Sequence, residues 1–227
     1  MDSIGSFLKL SSIANSINTI YTDSQNFLRL FQELPTKEIE SFISHFIINN
    51  IPYVFKDKPI LFEQIQRYLA KKFSISPHEI MLIGSAKTGF SISPMPNYGK
   101  PFVNSDLDFS ICNSNVYEKL ITEYFLVKEA VDFGSLTLSP RNSFFWKDSV
   151  EIIPRNSKRG FIDHKLIPNV EIAPFTRNIS NSLWLIQTTI LEEHGIKVKK
   201  PSIRVYKDYD SFIKVLSYNT TVVLQGL

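Results

Sequence analysis

Apolar residues recur along the chain with two periods, and the switches between them mark its elements. In "KPILFEQIQRYLAKKF", Leu61, Ile65, Tyr68, Leu69 and Phe73 recur at helical spacing, which predicts a helix with one face against a sheet. "NVYEKLITEYFLVKEAV" repeats the pattern at positions 116, 120, 124, 127 and 131. The shorter period appears in "SDLDFSIC", where Leu107, Phe109 and Ile111 alternate with Asp106, Asp108 and Ser110, so one face of the strand is apolar and the other acidic. The apolar run Ile80 to Ile83, after the turn "SISPHE", predicts a short buried strand that empties into the glycine loop "IGSAKTGFSISP".

Toward the end of the chain, "NISNSLWLIQTTILEEHG" predicts a helix stopped by Gly195, "KKPSIRVY" a strand and "DSFIKVLSYNTTVVLQ" a closing helix. Residues 1–55 have helical character with breaks near Pro35 and Pro52. Residues 134–176, rich in proline, asparagine and basic side chains, show neither period and receive no element. The expected fold class is α+β, mixed α/β around a small mixed sheet flanked by helices. An N-terminal helical extension over 1–55 precedes a main domain over 56–227.

Composition narrows the class. With 227 residues, 43% of them hydrophobic, the chain can bury a sizeable core. The 25 Lys and Arg against 22 Asp and Glu leave a net charge of +3, too mild to imply nucleic-acid binding without local clusters. A single cysteine, Cys112, excludes an internal disulfide framework, and His45, His78, His164 and His194 follow no zinc spacing. "MDSIGSFLKL" has no basic region ahead of an apolar core, and the longest apolar stretch, "FIINNIPYVF", is broken by Asn49, Asn50 and Pro52. The expectation is a cytoplasmic protein without direct membrane insertion.

The glycine loop and the acidic strand carry the chemistry. A P-loop requires lysine after its second glycine, and here Phe90 follows Gly89; the dinucleotide pattern G-x-G-x-x-G is absent as well. An EF-hand starting at Asp106 would need glycine and glutamate where Ile111 and Tyr117 stand. Two carboxylates one residue apart on a strand leave the same face, about 7 Å apart at the backbone. Such a pair raises a carboxyl pKa or destabilises the fold unless a cation such as Mg²⁺ neutralises it. A glycine-serine turn lets backbone N–H groups approach phosphate, with the Ser85 hydroxyl and the Lys87 charge as further donors. Each motif alone is commonplace; their order is the signal.

"IGSAKTGFS", followed about twenty residues later by "SDLDFSI", resembles the signature of the polymerase-β-like nucleotidyltransferase superfamily. The resemblance implies a nucleotidyltransferase fold. Gly84, Ser85 and Lys87 would hold the triphosphate of an NTP or dNTP, and Asp106 and Asp108 would be the catalytic, metal-binding pair for Mg²⁺ or Mn²⁺. The longer pattern, with "KRGFIDHKLIP" and "IRVYKDYDSF", is similar to small bacterial nucleotidyltransferases of anti-phage defence and toxin systems, among them the Hailong-system enzyme. That similarity implies transfer of NMP or dNMP to a hydroxyl with release of pyrophosphate. An oligonucleotide primer or product and a nearby-encoded membrane effector would be its partners. The alternatives are a toxin that modifies tRNA or protein and a nucleotide-binding pseudoenzyme.

The superfamily adds a third carboxylate on a later strand. "VEIIP" offers Glu151 and "VEIAP" offers Glu171, while "SIRVY" carries Arg204 where an acid would be sought. Arg155, Lys158, Arg159 and Lys165, with Lys197, Lys199, Lys200 and Arg204, offer either a groove for phosphates or a solvated basic surface. Phe144, Phe145 and Trp146 offer either a stacking platform or core. His164 beside Asp163 has the composition of an acid-base pair, which nucleotidyl transfer does not require.

Overall fold

The computed structural model describes residue 4 and residues 8–103 and 105–227; the part of the N-terminal helical expectation that falls on residues 1–3 and 5–7 lies outside them. The chain is mixed α and β around one four-stranded sheet in the order β1-β2-β4-β3. These strands are β1 (Ile80–Ile83), β2 (Asp108–Cys112), β3 (Phe161–Asp163) and β4 (Ser202–Tyr206). β1 and β2 pair antiparallel, β2 and β4 parallel, and β3 runs antiparallel to β4 at the edge.

The alternation predicted for the acidic strand decides what each face of the sheet does. Ile80, Leu82, Phe109, Ile111, Ile162, Ile203 and Val205 point to one side and are all essentially excluded from water. That side is covered by α4 (Pro59–Phe73), α6 (Ser114–Asp132) and α8 (Pro174–Glu192). In α4 the buried stripe is Phe62, Ile65, Leu69 and Phe73, with Leu61 and Tyr68 at its margins. Pro59 starts the helix where no N–H partner is needed, and Lys71 and Lys72 sit at its negative end.

The N-terminal segment is helical, as its pattern predicts, but in short pieces. α1 (Ser12–Ser16), α2 (Ser24–Glu33) and α3 (Ile39–Ile43) are followed by one π-helical turn, Ser44–Ile48. The chain bends at Pro35 and Pro52, each of which precedes a 3₁₀ turn. Phe27, Phe42 and Phe46 form an aromatic cluster that also takes in Phe90, whose ring centroid lies 5.6 Å from that of Phe27. The residue that excludes a P-loop is therefore a core residue. This second core continues through Phe161 and Tyr206 of the sheet to Phe212 and Val215 of α9 (Tyr209–Gln225).

The segment left without an element folds into α7 (Pro140–Ser157) and β3. Ser139 caps α7 by accepting from the Asn142 N–H, and Pro140 occupies its first turn. Pro154 interrupts the helix and leaves the Val150 carbonyl without its helical donor; the Tyr124 hydroxyl reaches that oxygen at 3.5 Å. α8 begins earlier than its apolar pattern predicts, at Pro174, because a buried acid on another helix caps it. The Glu123 carboxylate accepts from the Phe175 N–H (2.6 Å), the Thr176 N–H (2.8 Å) and the Thr176 hydroxyl (2.7 Å).

Candidate functional site

The glycine loop and the acidic strand meet because β1 and β2 are antiparallel. Ile83, the last residue of β1, pairs with Asp108, the first of β2, so the chain leaving β1 passes beside the carboxylates. Gly84 has φ 75° and ψ −162°, a conformation open essentially to glycine alone. A Cβ on Gly84 would lie 3.3 Å from Asp108 Oδ2, so the absence of a side chain lets the turn lie close against the carboxylate. Ser85 then opens one helical turn, α5 (Ser85–Thr88), closed by Gly89 at φ 85°. Among the described residues, the Ser85 hydroxyl makes no hydrogen bond to protein.

Each aspartate has one oxygen tied to the β4 side. Asp108 Oδ1 accepts from the Ser202 hydroxyl at 2.7 Å, and Asp106 Oδ1 accepts from the Lys200 backbone N–H at 3.1 Å. Burial raises the Asp108 pKa above the ordinary aspartate value, and the neighbouring Asp106 charge adds to the rise. The Ser202 hydrogen bond and the charges of Lys165 and Arg204 oppose it. The Oδ2 atoms of both aspartates are free of protein hydrogen bonds among the described residues. A desolvated carboxylate beside a second one, each with an uncommitted oxygen, suits a divalent cation.

Lys87 does not join this pair. It is almost fully buried, and its ammonium donates to the backbone carbonyls of Asn49 and Asn50, the latter at 2.8 Å. Burial pushes its pKa down to about 8. Its side chain anchors α5 to the end of the N-terminal segment, so a phosphate held by the Gly84–Ser85 turn would not meet this charge.

Glu151 lies on the exposed side of α7 and Glu171 in an exposed turn. The further acid on the carboxylate face of the sheet is Asp163, which the pairing places in one lateral row with Arg204 and Ser110. Arg204 Nε donates to Asp163 Oδ1 at 2.8 Å and a second guanidinium nitrogen donates to Oδ2 at 3.3 Å. Among the described residues, no group of three His, Cys, Asp or Glu side chains is placed to hold a metal ion. Sequence reasoning missed both Ser202 and the Asp163–Arg204 pair. The alternation in "SIRVY" puts Ser202 and Arg204 on one face, and "FID" delivers an acid at a strand end; both signals are too short to stand without the sheet.

His164 and Asp163 do not form an acid-base pair. The buried His164 ring sits against β4, with Nδ1 2.9 Å from the Ile203 carbonyl and 3.2 Å from its N–H, and burial pushes its pKa down to about 4. The basic side chains divide: Lys165, Lys200 and Arg204 lie at the carboxylate end of the sheet, whereas Lys158 and Arg159 line a groove at its other end. The aromatic triplet divides too. Trp146 is buried against Tyr124, with centroids 5.8 Å apart, while Phe144 and Phe145 are exposed. No helix among the described residues is long and apolar enough to cross a membrane.

No family model, curated protein or solved structure matches the chain.

Proposed function

We propose that the protein is a metal-dependent nucleotidyltransferase, which moves an NMP or dNMP from a nucleoside triphosphate to a hydroxyl acceptor and releases pyrophosphate. The observation that carries this is the contact between loop and strand: a Cβ on Gly84 would lie 3.3 Å from Asp108 Oδ2, which supports reading the glycine turn and the carboxylate pair as one site. Asp106 and Asp108 would hold Mg²⁺ or Mn²⁺ through their uncommitted oxygens. The ion supplies Lewis-acid stabilisation of phosphoryl charge when bound. Gly84 and Ser85 offer backbone and hydroxyl donors to the triphosphate, and Ser202 orients the Asp108 carboxylate. A role in anti-phage signalling, with an oligonucleotide product and a membrane effector, rests on the motif similarity alone.

The direct test incubates the purified chain with labelled NTPs and dNTPs in Mg²⁺ or Mn²⁺ and follows labelled product and pyrophosphate. Asp106→Ala and Asp108→Ala should each reduce transfer at least about a hundredfold. Undiminished transfer in either variant would falsify the site. Label migrating with tRNA or protein would identify the toxin-type acceptor, and label in short chains the oligonucleotide product.

One observation favours a second reading, a nucleotide-binding protein without transfer. Among the described residues, the further acid on the carboxylate face, Asp163, is held by Arg204. This reading predicts saturable NTP binding with no pyrophosphate in either metal.

A further inference from the structure

Away from the carboxylates, a groove of about 900 Å³ opens between the corner that joins α7 to β3 and the first turns of α9. Lys158 and Arg159 come from one wall and Lys207 and Lys214 from the other, so four cations face a single lining carboxylate, Asp208. That acid is already engaged as the cap of α9, accepting from the Ser211 N–H at 2.7 Å. The ion pairs among the described residues are Arg29–Glu33, Lys128–Asp132 and Arg204–Asp163, none of which neutralises the groove. Even with the Asp208 charge beside Lys207 and Lys214, a concave surface with this excess of cations concentrates anions.

The walls are fixed to one another. A Cβ on Gly160 would lie 2.4 Å from Ser211 Oγ, so the α7–β3 corner touches α9 through a residue with no side chain. The Lys207 N–H donates to the Gly160 carbonyl at 2.9 Å. Arg159 lies over the Phe161 ring at 5.3 Å and reaches Asn219 Oδ1 at 3.4 Å, which holds its guanidinium across the groove. The Tyr218 ring stands 65% exposed at the rim.

We infer that this groove binds the backbone of a single-stranded oligonucleotide, the acceptor or product of the proposed transfer. Cations on two walls match phosphates that repeat along a chain, and Tyr218 offers a face on which a base stacks. A phosphopeptide presents one dianion to four spread cations, and a flat bilayer does not enter a two-walled groove. The position also fits. Ser202, bonded to Asp108, and Tyr206, beside the groove, are the two ends of β4, about 13 Å apart at strand rise. Arg204, at 4.8 Å, shares the Phe161 ring with Arg159, so the groove packs against the Arg204–Asp163 ion pair that lies between it and the carboxylates. The acceptor role rests on the nucleotidyl-transfer proposal; the binding does not.

The test is fluorescence anisotropy with the full chain and a labelled twelve-nucleotide single strand, as RNA and as DNA, over a salt series. With four phosphates neutralised, log K should fall against log salt with a slope of about −3. The charge reversals Lys158→Glu with Lys214→Glu, and separately Lys207→Glu with Lys214→Glu, should weaken binding at least about tenfold and flatten that slope. Asp106→Ala should bind as the wild type does. Because the reversed side chains are exposed, unchanged circular dichroism is expected. Wild-type affinity in both reversed variants overturns the groove, as does tighter binding of a phosphopeptide or of vesicles containing phosphatidylserine. Groove-dependent binding without any nucleotide transfer leaves the groove standing and removes the proposed activity. Transfer indifferent to the reversals leaves the activity standing and removes the acceptor role of the groove.

Discussion

The two faces of the sheet are built from the same strands in the same register, yet they are finished differently. On one, Ile80, Leu82, Phe109, Ile111, Ile162, Ile203 and Val205 are almost wholly removed from water and pack in the apolar cluster with α4, α6 and α8. On the other, Asp108, Ser110, Ser202, Arg204 and Asp163 lie side by side. The Ser110 hydroxyl there is buried with no partner among the described residues, and Asp108 is desolvated beside another carboxylate. The first face supplies the stability that lets the second be arranged at its expense, since an unsatisfied buried polar group costs about 1–3 kcal/mol.

Breaking the dry face should have the largest effect on stability. Phe109 is central there, and Phe109→Ala should lower unfolding free energy by about 3–5 kcal/mol in chemical denaturation. A loss below about 1 kcal/mol would mean that this face does not carry the fold.

Lys87 lies at the border between packing and chemistry. Lys87→Met should cost about 1–3 kcal/mol, because two carbonyls lose their donor while a desolvated charge is removed. Nucleotide affinity of the folded variant should stay within about twofold of wild type. A collapse of affinity without loss of stability would return Lys87 to the phosphates. The pH profile adds a signature. The lysine pKa is down to about 8 when folded, from the ordinary lysine value of 10.5. The unfolded chain therefore holds the extra proton between those values, and wild-type stability should rise from pH 8 to 10.5 through this group. Lys87→Met should lack that rise.

The smallest expected effect has the opposite sign. Asp108 is raised by burial and by Asp106, so the folded chain holds its proton to higher pH than the unfolded chain. Its contribution to stability falls as pH increases above the ordinary aspartate value and is lowest at neutrality. Asp108→Asn keeps an acceptor for Ser202 and removes the charge. It should raise the melting temperature at pH 7 by a few degrees, with little gain at acid pH, while transfer is lost. A lower melting temperature at pH 7 would show that Arg204 and Lys165 already neutralise the carboxylate.

How much could be read in advance depended on length. The helices at 59–73 and 114–132 repeat their pattern over several turns, and the β2 alternation names both faces of the sheet. α7 was hidden because Pro154 lies inside it and because its support, the Tyr124 hydroxyl on Val150 and the burial of Trp146, comes from α6. β3 is three residues long, too short for any period to show. The Gly84 turn and the Asp106–Asp108 pair were legible because steric freedom and like charge are properties of neighbouring residues.

The sequence by itself determined that a glycine turn follows a buried strand and that Asp108 opens the polar face of another, since backbone conformation and alternation are local; that strand starts at Asp108 and leaves Asp106 just ahead of it. Only the tertiary structure decided that Gly84 stands against Asp108, that Lys87 is spent on Asn49 and Asn50, and that Asp163 is held by Arg204. Those outcomes join residues 24 to 41 positions apart in the chain, through strand pairing, burial and desolvation that no local pattern encodes.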